Sequence, residues 1–194
     1  MNSHFKQLYP TDALFGSFSD YDRLDQLISE LMTNVELNPN TNMLGEDSLF
    51  NRLDELPELA LFKEAVIEPA FEKYTTELYN LTFADLSKND NSYSFKSWLS
   101  GDRMSVHNHN NSYFSAVFYL LTESGKGGEI EFSDPRSNAN RGYQREFLEK
   151  FKNIRIQPKS GDFVIFPAYL YHSVLPFCGN VRLSMPVDMF IYRS

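Results

Sequence analysis

Cysteine occurs once in this 194-residue sequence, at Cys178, and histidine only four times. A single cysteine forbids an intrachain disulfide, so the fold must rest on its core, and a reducing, cytoplasmic setting is the expectation. Positive charge is also scarce: 18 Lys and Arg stand against 26 Asp and Glu, for a net charge of −8. A chain with no basic stripe is poorly built to track a phosphate backbone, which argues against nucleic acid as a partner. No apolar run approaches the roughly twenty residues that cross a bilayer. The opening segment MNSHFKQLYPTD also lacks the apolar heart of a signal peptide, so no membrane partner is expected. Internal repeats and low-complexity tracts are missing too, and oligomeric state leaves no mark.

What the sequence does hold is core-forming material: 42% of residues are hydrophobic and 15% aromatic, enough for one folded domain over residues 1–194. Two textures divide it. Residues 1–90 read as a helical region. In SDYDRLDQLISELMTN, Ser19 or Asp20 is a cap candidate, and Leu24, Leu27, Ile28, Leu31 and Met32 follow at helical spacing. After a polar, Asn-rich connection, Leu59, Phe62, Val66, Ala70, Tyr74 and Leu78 form a second apolar stripe, which Pro69 should kink or divide.

Residues 91–194 read as strands: YSFKSWLS, FSAVFYLL, GGEIEFSD, NIRIQP, GDFVIFP, and a final pair around VRLSM and DMFIYR. Gly, Pro, Asn and Asp punctuate them, with no regularly interleaved helices, so an antiparallel sandwich or barrel is expected. The stretch between Ser137 and Asn153, with Arg141, Tyr143 and Arg145, reads as a surface excursion whose Phe147, Leu148 and Phe151 make a short amphipathic helix. GKGGE and KSGD read as glycine turns.

Chemistry concentrates on the histidines. His107 and His109 lie two apart, so on an extended backbone they share one face. His172 follows 63 residues later, just after the apolar DFVIF, where a sheet could return it beside them. Neutral imidazoles bind iron, zinc, copper or nickel. Histidines in this pattern also occur as ordinary hydrogen-bonded strand residues, and spacing leaves both readings open. His4 lies apart, in the N-terminal segment.

Several motifs, in order, carry a resemblance. WLSGDRMSVHNH, SAVFYLL with GKGGEIEF, IQPKSGDFVIFP, and YHSVLP followed by Arg182 ten residues beyond His172 together resemble the 2-oxoglutarate- and iron(II)-dependent oxygenases, in their prolyl-hydroxylase-like branch. A smaller group within that superfamily is similar in HNH, SAVFYL and FSDPR. The resemblance covers roughly residues 93 to 192. It implies a mainly β fold: a double-stranded β-helix, or jelly roll, at residues 91–194, with N-terminal packing helices.

The resemblance further implies iron(II) as cofactor, 2-oxoglutarate as cosubstrate and dioxygen as oxidant, with succinate and carbon dioxide released as a substrate is hydroxylated. The substrate would be a peptide side chain such as proline, or a small metabolite. The usual ligands are two histidines and a carboxylate. Here His109 stands at the carboxylate position. One reading is an all-histidine face of His107, His109 and His172, favoured because His109 occupies the matching position. Another has Asp134 of FSDPR supplying an oxygen. A third has the metal lost. Arg182 is implied to grip the distal carboxylate of 2-oxoglutarate, with Ser184 on the same strand face and Tyr119 as further contacts. Trp98 stands where relatives carry another pocket residue. Two rival functions remain: a three-histidine, cupin-type metalloenzyme that does not use 2-oxoglutarate, and a non-catalytic jelly-roll binding module.

Overall fold

The structure, a computed structural model, describes residues 10–34, 49–93, 96–110, 112–135 and 153–191. His4, Arg136 and the excursion expected over 137–152 lie outside the described residues.

The N-terminal helices form where periodicity places them. Helix α1 spans Tyr21–Asn34, and Asp20 caps it by accepting the Arg23 N–H at 3.2 Å. Leu24, Leu27 and Leu31 are buried on its inner face. Met32, read as part of that face, is instead 47% exposed, while its neighbour Leu31 takes the buried position in the last turn. The next rod begins as α2, Pro57–Phe62, passes through a π turn, Lys63–Ile67, and continues as α3, Glu68–Tyr79. The wide turn falls just before Pro69, which has no N–H to donate, so the rod is divided where proline requires it. Leu59, Phe62, Ala70 and Tyr74 are buried as expected, together with Ile67 and Phe71, whereas Leu78 is 43% exposed near the helix end. The Glu30 carboxylate of α1 accepts the Glu58 and Leu59 N–H groups at 3.0 and 2.9 Å, tying α1 to the first turn of α2.

Among the described residues, ten strands make two antiparallel sheets. They are β1 (Leu14–Ser17), β2 (Leu86–Tyr93), β3 (Lys96–Trp98), β4 (Met104–His107), β5 (Phe114–Leu121), β6 (Ile130–Phe132), β7 (Ile154–Ile156), β8 (Asp162–Pro167), β9 (His172–Val174) and β10 (Arg182–Ile191). The larger sheet runs β1-β8-β5-β10-β2, with β3 also paired to β10; the smaller runs β4-β9-β6-β7. Two of these strands, β1 and β2, come from the N-terminal region in which only helices had been legible.

VRLSM and DMFIYR do not form two strands. They are one ten-residue strand, β10, running through Pro186.

Alternation along β5 and β10 sorts the two faces. Phe114, Ala116, Phe118 and Leu120, with Leu183, Met185, Val187 and Met189, turn outward and bury against the helices in one large cluster. The opposite face of this sheet looks across at the smaller sheet. There Tyr119, Val164 and Phe166 meet Ile130 and Phe132 in a second cluster. The pocket opens on this inner side.

Candidate metal centre

The smaller sheet assembles the histidines. His107 ends β4 and pairs directly with His172, the first residue of β9. His109 lies two residues past β4, anchored by its N–H donating to the Ala168 carbonyl at 3.0 Å. One potential donor atom from each of the three residues lies within 4.8 Å of the others.

Hydrogen bonding fixes which nitrogen of each ring is free. His107 Nδ1 donates to the Ser105 carbonyl at 2.8 Å and His172 Nδ1 to the Leu170 carbonyl at 3.0 Å. A carbonyl can only accept, so both rings carry their hydrogen on Nδ1 and a lone pair on Nε2. His109 Nδ1 donates to Asp188 Oδ2 at 2.9 Å. Its bare Nε2 then faces the bare Nε2 of His172 at 3.4 Å, and the two rings are parallel within 1°. Lone pairs converging in this way repel unless a cation sits among them. A single ion with bonds of roughly 2.1 Å draws donors to about 3–4 Å from one another, so the donor set fits a transition metal. Burial lowers the pKa of His172 to about 4, and burial also lowers that of His107. Both rings are therefore neutral, as a ligand must be, at ordinary pH. Asp134 is not a member of the group.

Deeper in the pocket lies a buried cation. Arg182, at the start of β10, is 1% exposed. Its guanidinium carbon stands 5.0 Å from the Trp98 ring centre and 5.1 Å from that of Tyr119. Arg182 Nε and Nη1 and the Tyr119 hydroxyl are fully buried without a hydrogen-bond partner. Glu129 acts on Arg182 only at longer range. Trp98 Nε1 donates to Ser184 Oγ at 2.9 Å, which leaves the Ser184 hydrogen free to donate elsewhere. Burial pushes the Tyr119 hydroxyl up to about 12, against the pull of Arg182, so it too stays a donor. The turn Gly127–Gly128 makes room: a Cβ on Gly128 would lie 3.0 Å from Arg182 Nη1.

The residues singled out in the sequence, His107, His109, His172, Tyr119, Arg182 and Ser184, with Trp98, all line this one pocket. The strand pairing explains it: Ser184 lies opposite Tyr119, and Arg182 opposite Trp98. Three residues in the pocket wall or behind it were not anticipated. Lys96 is half-buried in the pocket wall, and burial lowers its pKa. Asp188 holds His109, and Ser115 donates to Asp188 Oδ1 at 2.6 Å. Parity with Arg182 and Ser184 along VRLSMPVD was the signal that could have exposed Asp188.

Residues 95–188 match the family model described as "Putative 2OG-Fe(II) oxygenase". Similar solved structures include a prolyl-4-hydroxylase from Pseudomonas putida, at 20% identity and TM-score 0.57 over 93% of each chain. HygX from Streptomyces hygroscopicus, solved with nickel and 2-oxoglutarate bound, aligns at 14% identity and TM-score 0.62 over 94% of this chain and 85% of its own. A prolyl hydroxylase from Trichoplax adhaerens, in complex with a hypoxia-inducible-factor peptide, aligns at 12% identity and TM-score 0.62 over 91% and 83%. No curated protein matches this sequence at a significant level.

Proposed function

We propose, on the premise that the β core of this chain belongs to the 2-oxoglutarate- and iron(II)-dependent oxygenases, that His107, His109 and His172 hold the iron and that Arg182, Tyr119 and Ser184 hold the cosubstrate. The observation that carries this reading is the buried Arg182, whose Nε and Nη1 have no hydrogen-bond partner. A desolvated charge costs several kcal/mol unless an anion meets it. Arg182 has two buried N–H groups waiting, with two hydroxyl donors beside it. A carboxylate entering that cup would satisfy all of them. A three-histidine metalloenzyme without an oxo-acid has no acid to anchor in such a cup, and a jelly roll that only binds has no use for the three-histidine group beside it.

Iron(II), when bound, supplies the centre at which 2-oxoglutarate and dioxygen react, one oxygen atom going to succinate and the other to the hydroxylated substrate as carbon dioxide leaves. The rest is the protein's part. The three Nδ1 hydrogen bonds hold the histidine rings in the orientation and tautomer a ligand needs. Arg182 neutralises the far carboxylate of 2-oxoglutarate by charge-assisted bonds and so orients the cosubstrate along the pocket. Phe166, Ile130 and Val117 wall the space between and keep water out.

The substrate class we propose is a peptide side chain, proline among the candidates, with a small metabolite as the alternative. The prolyl hydroxylase folds support the first, and the Trichoplax structure holds a peptide. The reading treats residues 1–194 as one domain. No described helix is long and apolar enough to cross a membrane. A cytoplasmic setting is proposed because the lone Cys178 is an exposed free thiol and iron(II) persists under reducing conditions.

The test is anaerobic addition of iron(II) and then 2-oxoglutarate. The expected result is a weak visible charge-transfer band that needs both additions, with a rise in melting temperature by ligand linkage. Iron-loaded protein that shows neither band nor shift with 2-oxoglutarate would refute the oxygenase reading.

A further inference from the structure

The three imidazoles are not equivalent. His107 and His172 each give their Nδ1 hydrogen to a neutral backbone carbonyl two residues earlier in the chain. His109 gives its hydrogen to a carboxylate on a distant strand, Asp188 of β10. Asp188 is itself fixed from both sides. It pairs with Ser115 in the β5–β10 register, and the Ser115 hydroxyl holds Oδ1 while His109 holds Oδ2. Lys96 on β3 is close enough to feel the Asp188 charge.

We propose that Asp188 is a positioning residue that acts on the metal through His109. It fixes the tautomer that turns Nε2 inward, and it places a negative charge one ring away from an ion whose three protein ligands are all neutral. An anionic acceptor on Nδ1–H makes Nε2 a stronger donor. In a half-buried site that charge is weakly screened, so it favours the higher-charged metal state as well. The Ser115 hydroxyl keeps the carboxylate from rotating away from the ring. This inference rests on the three-histidine metal reading above.

Cobalt(II) alone is a suitable probe, read by its visible d–d bands and by melting temperature in the native chain and its variants. Asp188→Asn should weaken cobalt binding about 10–100-fold and shift the bands, while Ser115→Ala should lose less in the same direction. In a His109→Ala background the ring through which Asp188 acts is gone, so Asp188→Asn should cost clearly less there. A residue that merely supported the fold would lower affinity by the same factor in both backgrounds, and that result overturns the inference. So does an Asp188→Asn protein, folded, with affinity within about twofold of native and unshifted bands. Should Asp188→Asn not fold, a Ser115→Ala variant with native affinity and native bands overturns it equally. Native protein that binds no cobalt overturns the metal reading itself, which separates that failure from this one.

Discussion

The Trp98 indole N–H points at the Ser184 hydroxyl, 2.9 Å away, and the same ring lies 5.0 Å from the Arg182 guanidinium carbon. One side chain thus does two things to the anion cup. It screens the guanidinium from water on one side, and it occupies the Ser184 lone pair so that the serine hydrogen is directed elsewhere. The consequences of this arrangement can be measured.

Arg182→Met should affect binding and stability in opposite directions. Removing one partner of a buried charge-assisted pair costs roughly 2–5 kcal/mol, about 30-fold or more in the Kd for 2-oxoglutarate. The ligand-free protein, relieved of a buried charge without a counter-ion, should melt no lower than native. Titration of the cobalt-loaded protein with 2-oxoglutarate, beside thermal melts of the apo protein, checks both signs. Cobalt affinity itself should hardly move.

Trp98→Phe keeps an aromatic wall and removes the N–H. Loss of one buried neutral hydrogen bond is worth about 1 kcal/mol, roughly fivefold in 2-oxoglutarate affinity. Ser184→Ala should cost a comparable amount. If the two act as one unit, the double variant should lose clearly less than the sum of the singles, and a double-mutant cycle reads this directly.

Gly128→Ala should disturb Arg182 from the opposite side. The residue has φ +74°, where a side chain is strained, and the new Cβ would lie 3.0 Å from Nη1. A loss of about 1–2 kcal/mol in stability is expected from the backbone conformation alone. Weaker 2-oxoglutarate binding should accompany it, because the guanidinium has to give way. Both are read by melting with and without the cosubstrate.

The apo protein should lose stability as pH falls through a defined window. Burial holds the His172 pKa near 4, whereas the same ring in the unfolded chain takes its proton near 6.5. Between those values the unfolded state binds the extra proton, so folding weakens as pH falls from about 6.5 towards 4 and is level above it. His107, lowered by burial too, adds in the same direction. Denaturant unfolding of metal-free protein across that range should show the slope. His172→Gln should flatten part of it.

Much of this molecule could be read before any coordinates existed. The stripe Leu24, Leu27, Leu31 and the alternation in FSAVFYLL are local patterns, dictated by the 3.6- and 2-residue periods of helix and strand. The ordered motifs from HNH to Arg182 carried the fold and the residues of the pocket. What stayed hidden depended on partners far away in the chain. No local period marks β1 or β2 as strands; they exist because β8 and β10 offer them an edge.

The site divides in the same way. Residue types and their spacing determined that three imidazoles and a guanidinium would be available, because imidazole and guanidinium chemistry belongs to the side chain itself. Tertiary structure alone decided that His172 would pair with His107, that Asp134 would stand outside the group, and that Asp188 would take the Nδ1 hydrogen of His109, 79 residues earlier in the chain. The reason is physical. A hydrogen bond or a coordination site is made by atoms a few ångströms apart, and only the pairing of strands brings such distant residues to that distance.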